Sequence, residues 1–103
     1  MSSSRSNSPA PSLLQQQFHT LLHSRTYPKT LCPSEVARSL SPSDLSALGV
    51  SHWRDLMPRL REMAFEARDR DEVDVLQRGE LVSGERRMED VTGPIRVRLR
   101  RKT

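Results

Sequence analysis

A chain of 103 residues has room for one domain with a modest core and a tail, but not for a deep substrate cavity as well. Hydrophobic residues make up 34% and only four are aromatic, so neither an aromatic-lined cofactor pocket nor a small-molecule substrate is expected. The net charge is +4, and it is unevenly placed: residues 91–103 hold five basic residues and no acid, whereas 62–90 hold ten acids, so an anionic partner is expected at one edge.

Residues 1–12, MSSSRSNSPAPS, offer nothing able to offset chain ordering by burial and read as a disordered Ser/Pro-rich tail, with Ser8-Pro9 a possible proline-directed phosphorylation site. Residues 13–103 read as the folded part. Ser12 is a fitting N-cap for a first helix, in which Leu14, Phe18, Leu21 and Leu22 form one stripe. Pro28 then pushes Tyr27 out of helical geometry. Thr30 and Leu31 read as a short extended segment, followed by a box-like helix start at Cys32-Pro33-Ser34-Glu35, with Val36, Ala37 and Leu40 turned inward. Ser41-Pro42-Ser43-Asp44 repeats that pattern, with Gly49 as the stop.

The strongest periodicity follows. Trp53, Leu56, Met57, Leu60, Met63, Ala64 and Ala67 keep a 3.6-residue period from an N-cap at Ser51. Pro58 interrupts it, either as the start of the main helix or as a kink in one long helix; the unbroken phase favours the kink. Val73–Gln77 reads as a strand ending at Gly79. Ile95 to Arg100 alternates strictly, which places Ile95, Val97 and Leu99 on the core side and three arginines outside. Residues 79–94 between them are too many for a usual hairpin loop and read as an extended wing or a partly mobile segment.

The fold class expected from this order is α+β, mainly α: a winged helix-turn-helix of about three to four helices plus a C-terminal antiparallel β-hairpin. The blocks Thr30 to Arg38 (TLCPSEVAR), Trp53 to Arg61 (WRDLMPRLR) and Gly93 to Arg98 (GPIRVR), with Gln77-Arg78-Gly79 before the last, resemble an uncharacterised family of small winged-helix-like domains. The resemblance spans about residues 13–102 and implies that fold, but no activity and no catalytic residues. The chain departs from it in a longer SPSDLSALGV segment between the second and third helices.

Arg96, Arg98 and Arg100, continued by Arg101 and Lys102, are the leading candidate site. Alternate strand residues lie about 6.6 Å apart, near the spacing of successive phosphates on one DNA strand. Arg86 and Arg87 would extend the track along the wing. The main helix offers Arg54, Arg59 and Arg61 at its N-terminal end, whereas Asp55, Glu62, Glu66 and Asp69 make the centre of its outer face acidic. Two i,i+4 pairs are expected there, Asp55 with Arg59 and Glu66 with Arg70. The competing expectation for the strand is a solvated face neutralised across the hairpin by Asp74 or by acids of the wing.

Other features carry less. His19 and His23 share the i,i+4 spacing zinc can use, but no third ligand is evident, so no metal is expected. Cys32 lies at a helix start without a fixed base beside it. Phe65 falls off the apolar stripe, either in an exposed patch or packed under the wing. A single cysteine fits a reducing compartment, and no apolar run approaches a secretory signal or a membrane span. A cytoplasmic or nuclear protein is therefore expected, without a membrane partner. The acid-free, Ser-rich start is shared with mitochondrial transit peptides, but basic residues are too sparse for one. The functional expectation is a non-enzymatic DNA-binding domain using a basic wing and strand; the alternative is a protein-interaction module meeting an acidic partner.

Overall fold

The computed structural model describes residues 12–100. The chain order is α1 (Leu13–His23), α2 (Pro33–Arg38), α3 (Pro42–Ala47), α4 (Met57–Asp69), β1 (Val73–Gln77), β2 (Glu80–Leu81) and β3 (Arg96–Leu99). The fold is α+β and mainly helical, consistent with a winged-helix-like description. The tail expected over residues 1–12 lies outside the described residues except for Ser12.

Caps decide where the helices begin. The Ser12 hydroxyl accepts from the Gln15 amide at 3.1 Å, and the Gln15 side chain accepts from the Ser12 amide at 2.9 Å. At α2 the Glu35 carboxylate accepts from the Cys32 amide at 2.9 Å, while the Cys32 thiol makes no cap bond. Ser41 and Asp44 repeat the reciprocal box at α3. Gly49, at φ 77°, ends α3 as expected, its left-handed backbone turning the chain away.

The main helix differs from expectation. Trp53–Leu56 is a separate 3-10 turn and α4 starts at Met57, so Pro58 sits in the first helical turn. There its missing N–H would have had no intrahelical partner, and the kink costing about 3 kcal/mol is avoided. The apolar phase persists because Leu56 and Leu60 meet the same core. His52, rather than Ser51, caps the turn, its Nδ1 accepting from the Arg54 amide at 3.1 Å. At the other end Asp71 takes φ 63°, and the Glu72 amide donates to the Ala67 carbonyl at 3.0 Å. An aspartate thus performs the left-handed helix stop usually given to glycine.

The long wing loop also needs correction. Arg78 and Gly79, at φ 55° and 83°, close a tight turn from β1 into β2, so part of residues 79–94 is strand. The chain then runs through a short 3-10 turn at Met88–Asp90 before returning as β3 on the other side of β1. The antiparallel sheet has the order β2-β1-β3, with Val75 opposite Val97 and Asp74 opposite Arg98. Leu31 adds a bridge to Val97 on the outer edge of β3, with both amide bonds made at 2.7 and 2.8 Å.

The core lies between the helices and the inner face of this sheet. Phe18 and Leu22 of α1, Val36 and Ala37 of α2, Leu60 and Ala64 of α4, and Val73, Val75 and Val97 of the sheet are all buried. Phe65 is buried as well, so it belongs to the packing and not to a surface patch. No helix among the described residues is long and apolar enough to cross a membrane. Leu60→Ala is expected to cost about 2–5 kcal/mol by opening a cavity at a fully buried position. Chemical denaturation checks this, and an unchanged midpoint would remove α4 from the centre of the core.

Candidate functional site

The register of β3 on β1 determines what its arginines can do. Alternation puts Val75 and Val97 on the core face, so Asp74 and Arg98 face each other on the opposite side. Arg98 Nη2 donates to Asp74 Oδ2 at 2.8 Å, and both side chains are mostly buried, at 16% and 14% exposure. The Tyr27 ring lies against the same guanidinium, 4.9 Å from its carbon to the ring centroid. Arg98 Nε is buried without a partner, which makes this a costly place for a charge unless Asp74 holds it.

The other strand arginines are tied down too. Arg100 donates from Nε to Asp74 at 3.1 Å and from Nη1 to Asp71 at 2.6 Å, and these bonds raise its pKa above the ordinary guanidinium value. Arg96 donates to the Thr30 hydroxyl and lies 3.7 Å from Glu35, which also pairs with Arg25. Of the three, Arg96 alone is more than half exposed. The three arginines lie off the core face as expected, but Arg98 and Arg100 are paired with Asp74, as the competing expectation has it, and Arg96 lies against Thr30 and Glu35 instead. Arg101 and Lys102 lie outside the described residues.

On α4 the candidate residues separate instead of forming a track. Arg61 donates to the backbone carbonyls of Gly93 at 2.8 Å and Val91 at 2.6 Å, clamping the chain just before β3. Arg59 pairs with Glu62 at 3.1 Å and Glu66 at 3.7 Å, in place of Asp55. Arg70 pairs with Glu72 and not with Glu66. Arg86 donates to the Asp90 carbonyl at 2.5 Å, and Arg87, also on the wing, is exposed. Arg68 is buried over the Phe65 ring and donates to the Ser83 carbonyl, which joins α4 to the wing.

Arg54 behaves differently. Its guanidinium carbon lies 5.1 Å from the Trp53 ring centroid, and that of Arg38, at the end of α2, lies 5.7 Å from the same ring. Among the described residues neither cation comes within 4.0 Å of a carboxylate, and both are exposed. The His52 ring stacks on the indole, with ring centroids 5.6 Å apart. In the sequence Trp53 belongs to the apolar stripe of the main helix, and no pattern singles out Arg38. The indole does pack against the core, but it is half-buried and its remaining surface carries the two cations.

A concavity of about 1140 Å³ lies between α1 and the C-terminal half of α4. Its charged walls are largely self-paired: Glu72 with Arg70, and Asp71 with Arg100. His19 and His23 stack on each other there at 4.0 Å. Among the described residues no group of three or more His, Cys, Asp or Glu is arranged to hold a metal ion. Cys32 is half-buried, with Sγ 3.0 Å from the Ser34 hydroxyl.

Comparison with known proteins adds a family and no chemistry. A search of curated proteins finds no match. The family of proteins of unknown function DUF3253 matches residues 11–100, and the chain belongs to it.

Two outcomes follow from the ion pairs. Asp74→Ala strips the partner from Arg98 and removes one from Arg100, and is expected to cost about 2–3 kcal/mol in chemical denaturation. A loss under about 0.5 kcal/mol would mean that the pair contributes no more than a surface contact. Hydrogen bonds from Arg70 hold the Glu72 carboxyl below its ordinary range. That contribution is fully present above the ordinary carboxylate range and is lost as pH falls from there through the lowered folded-state value. Both side chains are more than half exposed, so the effect is small. Glu72→Gln should therefore melt slightly below the parent at pH 7, and the gap should close below about pH 4; a gap independent of pH would exclude the linkage.

Proposed function

We propose that this member of the DUF3253 family is a non-catalytic interaction module whose partner is a protein and not a nucleic acid. The observation that carries this reading is the internal use of the arginines on β3. Affinity for DNA comes chiefly from cations that release counterions at successive phosphates. Here Arg98 and Arg100 already hold Asp74 and Asp71, and Arg96 lies beside Thr30 and Glu35. A phosphate backbone would have to displace those carboxylates or bind a nearly neutral surface.

The outer face of α4 argues the same way. A helix lying in a major groove needs free donors for base edges and phosphates. This one presents Arg59 bridged to Glu62 and Glu66, with Asp69 further along. Such a mosaic of paired charges is ordinary at the rim of a protein interface.

The decisive measurement is a titration of the full chain with fluorescent duplex and single-stranded oligonucleotides at low and moderate salt. No saturable binding in the micromolar range is expected, while nuclease-treated preparations should retain a stoichiometric protein partner. Arg96→Ala, Arg98→Ala and Arg100→Ala together should lower stability without exposing or abolishing any oligonucleotide affinity. Saturable binding that falls steeply with salt, and whose slope shrinks by about one for each arginine removed, would reverse the assignment.

A further inference from the structure

Thirteen arginines lie among the described residues, and seven of them meet a carboxylate within 4.0 Å. Arg61 and Arg86 are held by backbone carbonyls at 2.8 Å or closer. Arg78 and Arg87 are exposed and meet no carboxylate either, so what sets apart the corner where α2 meets the 3-10 turn before α4 is that two such cations share one ring. Two exposed guanidinium groups, from Arg38 and Arg54, converge on the Trp53 ring, with the His52 ring stacked alongside. The one hydrogen bond to either guanidinium is a long one, from Arg38 Nε to the Ser34 carbonyl at 3.4 Å. Asp55, next in sequence to Arg54, reaches neither cation within 4.0 Å.

We propose, building on the reading of the domain as a protein-interaction module, that this corner is its docking point and that it takes an acidic linear segment of the partner. The chemistry is complementary on three counts. Each guanidinium presents a planar fork suited to a carboxylate. The indole holds each guanidinium carbon within 5.7 Å of its centroid, so less side-chain freedom remains to be lost on binding. Tryptophan and arginine are also the side chains that most often dominate interface energetics, because they combine large apolar area with directed polar contact. An aspartate- or glutamate-bearing segment would place its carboxylates on Arg38 and Arg54 and its aliphatic stems on Trp53.

The chain contains one tryptophan, so its fluorescence reports on this corner alone. Full-length protein would be titrated with a ten-residue peptide alternating glutamate and leucine, with the same peptide carrying glutamine for glutamate, and with an oligothymidylate. The glutamate peptide should shift or quench Trp53 emission saturably, weaken as salt rises, and lose about tenfold or more in affinity when Arg38→Ala and Arg54→Ala are combined. The glutamine peptide should not bind. Thermal melts of the double variant should match the parent, since both side chains are exposed; a shared large loss of stability would be met by the charge-removing variants Arg38→Gln and Arg54→Gln.

The failures are separable. Glutamate-peptide binding that survives loss of both arginines would overturn the location while leaving the protein-interaction reading intact. A response to oligothymidylate alone would assign the corner to phosphates and overturn both. Absence of any emission change with all three probes, in protein that melts normally, would overturn the docking point.

Discussion

The pairing of β1 with β3 is the constraint on which the remaining structure depends. Strand side chains alternate with a period of two, so one register choice decides at once which residues enter the core and which charges meet. With Val75 opposite Val97, the valines seal the inner face and Asp74 is left directly against Arg98. A shift of one residue would push Arg98 toward the helices and Val97 toward solvent. The cross-strand ion pair therefore acts less as a source of stability than as a marker of register, because the alternative leaves a desolvated cation alone. Leu31 reinforces the same choice from the outer edge through its two amide bonds to Val97.

Much of this was legible in the residues. Helix starts at Ser12 and Ser41 follow from hydroxyls that accept from the first free amides, and the start at Cys32 from Pro33 at the first helical position and Glu35 reaching back to the Cys32 amide; these are local effects. The inward faces of α4 and β3 follow from periodicity. The break at Trp53–Leu56 was readable from Pro58 only as one of two alternatives, because the apolar stripe runs on across the turn and so favours a single kinked helix. The extra strand β2 was hidden for a different reason: two residues are too few to show alternation, and Arg78-Gly79 is a less familiar left-handed pair than Asn-Gly. Asp71 gave no helix-stop signal because its role depends on backbone angles that aspartate adopts only in context.

The candidate site was legible in composition and not in pairing. An alternating arginine strand looks like a phosphate track until its cross-strand neighbour is known. Asp74 could be named from sequence, whereas Asp71 on Arg100 and Glu35 near Arg96 arise from segments 29 and 61 residues away. Long-range contacts of this kind convert surface cations into internal fasteners. Arg61 and Arg68 show the same conversion, each closing part of the wing onto α4 by donating to main-chain oxygens. The Arg38–Trp53–Arg54 group is the converse case. Its members are 15 and one residue apart and share no periodic pattern, so only the packing of α2 on the turn before α4 brings them together.

The Arg61 clamp has a mechanical corollary. The second turn of α4 is fastened to the carbonyls of Val91 and Gly93, immediately upstream of β3. Helix and strand are thus geared to each other at a single side chain that lies neither in the core nor on a free surface. A rotation of the first turns of α4, beside Trp53, would therefore load the segment before β3 through this side chain, in parallel with the contacts that helix and sheet share in the core.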